Sequence, residues 1–333
     1  MSLIVNIPIE PTEFRYSGDW DKWFKKEFQE HDLNFTTVYG EKVSNVIENG
    51  SFLDVCNTNI YKTSQMLKII KILSKYDDQE TLILFFHDLW FPGLETIAYI
   101  RDGMGFKNLK IYGCLHAGSY DEYDFLNKQG MTKWANHMET GWFNVIVDKI
   151  FVATNFHKDL LCKKRRIKPG KIYVTGFPIF TPKLRSYDFK KQNIILFPHR
   201  LDSEKNPNLF NDLKEYFVGS NWEFIKTVEV VDNKDDYYSL LARAKFAISF
   251  SDQETWGIAM QEAVLLDCYP LVPNRLSYTE MYSTEFLFDN WFELLRKLEN
   301  LMKQGSSDFV LGRIKDKIKY EGKIAISNMI KLF

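Results

Sequence analysis

Short apolar runs alternate with longer stretches of helical periodicity along most of the chain. Residues 2–9 alternate apolar and polar positions as a strand does, and Pro8 and Pro11 close it. Residues 17–31 then place Trp20, Trp23, Phe24 and Phe28 on one face of an amphipathic helix, a pattern that core packing explains. Residues 34–39 read as a second strand and 63–73 as a helix. Residues 81–86 form a continuous apolar strand of the kind buried in parallel sheets. A helix from 94 to 101, a strand from 109 to 115, helical material to about 147, a strand at 150–153, a helix at 156–164 and a strand at 172–175 complete this half. Strands alternating with helices predict a doubly wound α/β domain.

Residues 176–191 carry two prolines and a run of charge, so the interdomain linker belongs there. The rhythm then restarts, with strands at 194–197 and 223–228 and helices from Pro207 and at 236–244. Asn206 followed by Pro207 suits an N-cap and first-turn pair. Two helices, 291–302 and roughly 309–332, end the chain. The expected division is 1–180, 181–312 and a C-terminal helix, 313–333, packing back on the first domain.

The densest signal lies at residues 245–280. A short apolar strand leads through Ser251, Asp252 and Gln253 to Glu254, Thr255, Trp256 and Gly257. From there Ile258, Ala259, Met260, Ala263, Val264, Leu265 and Leu266 form the apolar side of a helix that also holds Glu262. A second strand follows at 269–272. Two carboxylates therefore stand at the helix mouth and about two turns in. A helix mouth offers free N–H groups and a positive dipole end, suited to a phosphate, and two acids beside it suit hydroxyl recognition. The same residues also fit an acid favourable to the helix dipole plus one half-buried Glu.

Composition narrows the partners. The chain has 333 residues, long enough for two cores, and a formal net charge of −1, so no global field draws it to nucleic acid or membrane. Cys56, Cys114, Cys162 and Cys268 match no metal or redox spacing and read as reduced, mostly buried residues of a cytoplasmic protein. The N-terminal run is too short for a signal peptide, and no apolar run approaches the roughly 20 residues that span a bilayer. Nothing in the pattern defines an oligomeric state.

A second strand end carries Pro198, His199, Arg200, Leu201, Asp202, Ser203, Glu204 and Lys205. A guanidinium, an ammonium and a helix mouth together hold a diphosphate without a metal, whereas the loop alone would read as a solvated turn. FPHRLDSEKNPNLF followed by SFSDQETWGIAMQEAV resembles the C-terminal half of retaining GT-B glycosyltransferases, over about residues 193–281. The resemblance implies a GT-B fold, two Rossmann-like doubly wound domains facing a central cleft. It implies that Arg200 and Lys205 bind the donor diphosphate, that Glu254 binds hydroxyls of the donor sugar, and that Glu262 binds the ribose. Backbone N–H groups of Trp256, Gly257 and Ile258 would meet phosphate. The chain departs from that family at Asp267, where Gly is usual, and at 276–278, where a Gly pair is common. Within these departures, PHR…EKNP and CYPLVPNRLSYTE are similar to the tRNA-queuosine mannosyltransferases, which points to a hypermodified base in RNA or DNA as acceptor. The first halves do not obviously match.

In the first half, the resemblance places His116, at a strand end, beside the donor sugar. His87 is a second candidate at the end of LILFFHD, and Tyr120 and Asp121 open an acidic, aromatic loop suited to acceptor hydroxyls. Each also reads as structural, the histidines as strand-end hydrogen bonders and the acids as the first turn of a helix. The loop at 12–19, with Gly18, would approach the donor or acceptor. The basic run Lys163, Lys164, Arg165, Arg166, Lys168 and Lys171 suits either phosphate-backbone contacts or a solvated helix end.

The expected function is retaining glycosyl transfer from a nucleotide sugar, with no metal and no other cofactor, to a modified nucleobase in tRNA or DNA. A glycan, lipid or small-metabolite acceptor is the alternative. A non-catalytic nucleotide-sugar-binding module is the reading from another class, and intact Arg200, Lys205, Glu254 and Glu262 oppose it.

Overall fold

The computed structural model describes residues 2–12, 15–42, 54–184 and 189–333, so parts of the 12–19 loop and the 176–191 linker lie outside the described residues. The chain divides into two compact domains, Met1–Gly176 with Ala325–Phe333, and Phe177–Ile324.

The first domain contains β1 (Leu3–Ile7), α1 (Tyr16–Glu30), β2 (Phe35–Thr37), α2 (Val55–Leu73), β3 (Leu82–Phe86), α3 (Leu94–Met104) and β4 (Leu109–Cys114). It continues through α4 (Phe125–Lys128), α5 (Thr132–Gly141), β5 (Lys149–Val152), α6 (Asn155–Arg165) and β6 (Ile172–Val174). Its strands form one parallel sheet in the order β2-β1-β3-β4-β5-β6. Every residue of β3 is buried, as an apolar run covered on both faces requires. Trp20, Phe24 and Phe28 of α1 recur at helical spacing and are fully buried, while Trp23 beside them is only half-buried. The C-terminal residue Phe333 packs its ring 5.1 Å from Phe85 and 6.0 Å from Phe28. The helix of α5 runs on into a π-helical turn, Trp142–Ile146, a feature the sequence pattern did not separate from ordinary helix. Two of the four cysteines, Cys114 and Cys268, are buried, Cys56 is exposed, and none is in a disulfide.

The second domain contains β7 (Gln192–Phe197), α7 (Pro207–Tyr216), β8 (Glu223–Lys226), α8 (Lys234–Arg243), β9 (Ala244–Ile248), α9 (Ile258–Leu265), β10 (Tyr269–Pro273), α10 (Tyr278–Met281), β11 (Leu287–Phe288), α11 (Trp291–Gln304) and most of α12 (Asp308–Ile330). Its parallel sheet runs β11-β10-β9-β7-β8. The order reverses between β7 and β9, so the loops leaving these two strands flank the switch point where ligands of open α/β sheets sit. The two-residue strand β11 and the single turn α10 are too short to show a period, and the sequence pattern missed both. Among the described residues, no helix is long and apolar enough to cross a membrane.

Both departures from the glycine pattern fall on left-handed backbone: φ is 60° at Asp267 and 59° at Leu276. Asp tolerates this region because its short polar side chain bonds locally, but for Leu the left-handed conformation costs roughly 1–2 kcal/mol. Leu276→Gly should therefore change stability by less than about 1 kcal/mol, strain relief offsetting lost burial and backbone entropy. Leu276→Ile should cost about 1–3 kcal/mol in urea denaturation, because a β-branched residue fits that backbone worse.

Candidate functional site

At the end of β7 the ring of His199 packs edge-on against Phe197, 5.2 Å between centroids. It is almost fully buried, and among the described residues its Nε2 has no hydrogen-bond partner. Burial, with help from nearby Lys205 and Arg200, lowers its pKa to about 3, so the imidazole is neutral. The chain then makes a 3₁₀ turn, Ser203–Lys205. Arg200 pairs with Asp202 and, at 2.5 Å, with Glu204. Lys205 is only 5% exposed and donates to the carbonyl of Gln253 at 2.5 Å and to Glu254 Oε2 at 3.3 Å.

Asn206 does not cap α7 as expected. It sits at φ 54° without a side-chain cap bond, and its amide donates instead to Phe250 O (3.0 Å) and Asp252 Oδ2 (2.7 Å). The reason is tertiary: the loop after β9 lies close enough to take the carboxamide across the switch point. Asp252 N donates back to Glu204 O at 2.8 Å, so the two loops are laced together.

The turn that leads into α9 is held from within. Glu254 Oε1 accepts from Gly257 N (2.8 Å) and Trp256 N (3.3 Å), the two N–H groups just ahead of the helix. The N–H groups of Trp256 and Gly257 expected to meet phosphate thus bind this carboxylate here. Burial alone would raise the Glu254 carboxyl, but the Lys205 ammonium and these two N–H groups outweigh it and hold the pKa below the usual range. Gly257 has φ +68°, and a Cβ there would meet the Tyr278 ring at 2.9 Å, so glycine is required on both counts. Trp256 turns its ring against Phe177 instead of the helix mouth.

The departing tract is fastened to this turn. Tyr278 is buried with its hydroxyl 2.9 Å from Ser249 Oγ. Arg275 donates to Ser251 O and Phe250 O, both at 3.1 Å, and pairs with Asp252 at 2.7 Å. Arg200, Lys205 and Arg275 therefore meet four carboxylates, Asp202, Glu204, Glu254 and Asp252. Each of these three cations is paired within the protein. Glu262, on the fifth residue of α9, takes hydrogen bonds from Tyr237 and Tyr238 of α8.

The first domain gives its predicted residues different standing. His116 is half-buried. Its Nε2–H donates to the carbonyl of His87 (2.8 Å), which makes Nδ1 the acceptor facing the Tyr16 hydroxyl at 3.4 Å. Burial lowers its pKa, and the neighbouring Asp88 and the His87 carbonyl oppose that only in part. His87 itself has no exposed surface: it bonds Asn6 Oδ1 at 2.8 Å and packs edge-on or tilted against Trp20, Phe24 and Phe85. It is a core residue, because an imidazole sealed by aromatic rings presents nothing to an acceptor. Tyr120 is likewise buried, its hydroxyl 2.6 Å from His157 Nε2, and Asp121 is buried and accepts from Tyr123 N at 3.0 Å. Tyr120 and Asp121 thus point inward, while Glu122 and Tyr123 of the same loop are exposed.

That loop is held by Glu139, which sequence reasoning did not single out. The Glu139 carboxylate is fully buried and accepts from Ser119 N (2.6 Å), Ser119 Oγ (3.0 Å), Trp90 Nε1 (3.0 Å) and Arg165 Nε (2.8 Å). Arg165, read as part of a basic run, points inward, and Lys171 bonds Asn144 O at 2.8 Å. Lys163, Lys164, Arg166 and Lys168 are the exposed remainder. Nothing in the sequence marks Glu139, one polar residue on a helix that also carries Trp134, Ala135 and Met138, because its burial depends on donors from other elements. The 12–19 loop is shorter than expected, because α1 already begins at Tyr16 and Gly18 lies within it.

No protein-family model matches the chain. Over 134 residues it is 30% identical to the tRNA-queuosine alpha-mannosyltransferase of Drosophila melanogaster, a match covering 33% of this chain and 36% of that protein. The chain thus spans little more than a third of the length of that curated relative. Among solved structures, sucrose-phosphate synthase of Thermosynechococcus elongatus superposes with a TM-score of 0.69 at 10% identity, covering 99% of this chain and 97% of that one. The catalytic domain of Arabidopsis thaliana starch synthase IV, bound to ADP and acarbose, gives 0.66 at 9% identity, covering 99% and 98%. The Anabaena protein HepE, in complex with UDP and glucose, gives 0.59 at 10%, covering 99% and 98%. The fold is GT-B. Similarity at such low identity establishes architecture alone.

Two measurements probe the geometry. Glu139→Ala should destabilise by about 3–5 kcal/mol in chemical denaturation, since it leaves the Arg165 guanidinium buried without its carboxylate. Glu254 has a depressed folded pKa, so its contribution is present above its unfolded value and is lost as pH falls through the folded one. Wild type should exceed Glu254→Gln by about 1.5–3 kcal/mol at neutral pH, and the gap should close as pH falls below about 4.

Proposed function

We propose that the chain is a nucleotide-sugar-dependent glycosyltransferase that moves a hexosyl group with retention of configuration to a modified nucleobase in RNA or DNA. The observation that carries this reading is the laced pair of loops at the β7–β9 switch point, where Lys205 is bonded to Glu254 and Arg200 stands on the same loop. Arg200 and Lys205 would carry the donor diphosphate, Glu254 the hydroxyls of the donor sugar, Glu262 the ribose, and the start of α9, through Gly257 and Ile258, a phosphate oxygen. His116, a neutral imidazole, is proposed to hydrogen-bond the sugar. The 30% identity to a tRNA-queuosine alpha-mannosyltransferase supports a nucleobase acceptor.

In the reaction the bond from the anomeric carbon to the phosphate oxygen breaks while the acceptor hydroxyl bonds to that carbon on the same face. The acceptor proton passes to the departing diphosphate. Negative charge grows on the leaving group, and two cations in a partly buried site stabilise it by several kcal/mol without a metal in this reading. The internal carboxylates keep the cations preorganised, and the donor phosphates displace them.

A glycan, lipid or small-metabolite acceptor is the second reading. It is favoured by the inward orientation of Arg165 and the backbone bond of Lys171, which remove two cations from the basic run.

A thermal-shift panel of nucleotide sugars identifies the donor, because a ligand that binds only the folded state raises Tm by mass action. With that donor, Arg200→Ala and Lys205→Ala should each lower transfer by at least about a hundredfold while circular dichroism shows an intact fold. Near-normal turnover in both variants would sink the assignment. Binding of tRNA or duplex DNA that weakens steeply with salt favours the nucleobase acceptor, and salt-independent transfer to a small acceptor favours the second reading.

A further inference from the structure

The second acid of the site is held in an arrangement that donor binding through Arg200, Lys205 and Glu254 does not explain. Tyr237 and Tyr238 are consecutive residues in the first turns of α8, whose start is capped by Asn233 accepting from Asp236 N at 2.8 Å. This helix start follows the carboxyl end of β8, the edge of the sheet on which the switch-point loops also lie. Neighbouring residues on a helix point about 100° apart. Yet both hydroxyls reach the same carboxylate from α9: Tyr237 donates to Glu262 Oε2 at 3.2 Å and Tyr238 to Oε1 at 3.0 Å. The two rings stand 5.5 Å apart at 49° and straddle Glu262, one phenol on each oxygen.

A single hydrogen bond leaves a carboxylate free to turn about its last bond. Two donors on opposite oxygens, anchored on one rigid helical turn, fix its plane. Burial and the adjacent Glu262 raise the Tyr237 phenol well above its ordinary pKa, so it remains a donor. A fixed carboxylate plane matters most for a ligand that presents two hydroxyls at a set spacing, as a cis-diol does.

We propose that Tyr237 and Tyr238 are positioning residues that fix the Glu262 carboxylate for a ribose cis-diol, and so set the preference of this site for ribonucleotides over 2′-deoxyribonucleotides. The inference rests on the donor reading of the site given above and adds to it the source of nucleotide discrimination.

The test uses the full chain and isothermal titration with ADP, GDP, UDP and CDP, followed by the 2′-deoxy counterpart of whichever binds most tightly. Wild type should prefer the ribonucleotide by about tenfold or more, the loss expected when a charged hydrogen bond to the 2′-hydroxyl is missing. In Tyr237→Phe/Tyr238→Phe the ratio should fall below about threefold through weaker ribonucleotide binding, with 2′-deoxynucleotide affinity within about twofold of wild type. Glu262→Gln should lose the same ratio. A purely structural role for the phenols predicts something else, a parallel loss of both affinities together with a lowered Tm, and that result overturns the proposal. An unchanged ratio in the double variant overturns it as well. If no nucleoside diphosphate binds wild type, the donor reading fails and the clamp fails with it. That outcome is distinct from failure of the clamp alone, in which wild type and variant bind and discriminate alike.

Discussion

The second domain depends on one buried ammonium. Lys205 is almost wholly removed from water, and an unpaired charge there would cost several kcal/mol. Its partners, the Gln253 carbonyl and the Glu254 carboxylate, both come from the loop on the far side of the switch point. Satisfying the lysine therefore brings the loop after β7 against the loop after β9, and Asn206 and the Asp252 backbone N–H lock the same joint. Glu254 is shared between this pair and the backbone N–H groups of Trp256 and Gly257, so the charge that neutralises Lys205 also fixes the turn into α9. The charges of this joint are therefore paired within the protein, Arg200 and Lys205 with Asp202, Glu204 and Glu254.

The first domain solves a similar problem with the opposite charge. Glu139 lies buried in a region with little water to solvate it, and four groups, two of them on Ser119, donate to it. Ser119 follows closely on His116, and a Cβ on Gly118 would sit 2.8 Å from Glu139 Oε1, so the turn has little room to move. The orientation of His116 follows from its own bonds: a carbonyl can only accept, which leaves the proton on Nε2 and the lone pair on Nδ1.

Backbone conformation explains where the chain leaves the common glycine pattern. Asp267 and Leu276 both occupy left-handed positions, and the residues around them hold the strain in place. Arg275 ties its own segment to three groups of the β9 loop, and Tyr278 is wedged against Gly257. At Leu276 the turn persists because its neighbours over-determine it.

Periodicity was enough to read the two doubly wound sheets, and strand-end position singled out Glu254, Glu262, Arg200 and Lys205, of which the fold joins Lys205 to Glu254 and keeps Arg200 on the same loop. Those features are local: a strand, a loop and a helix mouth lie within a few residues of one another, and their residue types state their environment. Pairings across long sequence separations were not legible. That Arg165 turns inward to Glu139, that Asn206 abandons its helix for Phe250 O, and that Tyr237 and Tyr238 converge on Glu262 depend on which elements become neighbours, and side-chain type alone does not encode that. His87 shows the same limit. Its place at a strand end is visible in sequence, but only the packed helix α1, with Trp20 and Phe24 over the ring, decides that it faces the core. The sequence by itself determined the chemistry available to this chain, and the tertiary structure decided which groups bind one another and which face the switch point, because burial forces each charge to find a partner wherever the fold places one.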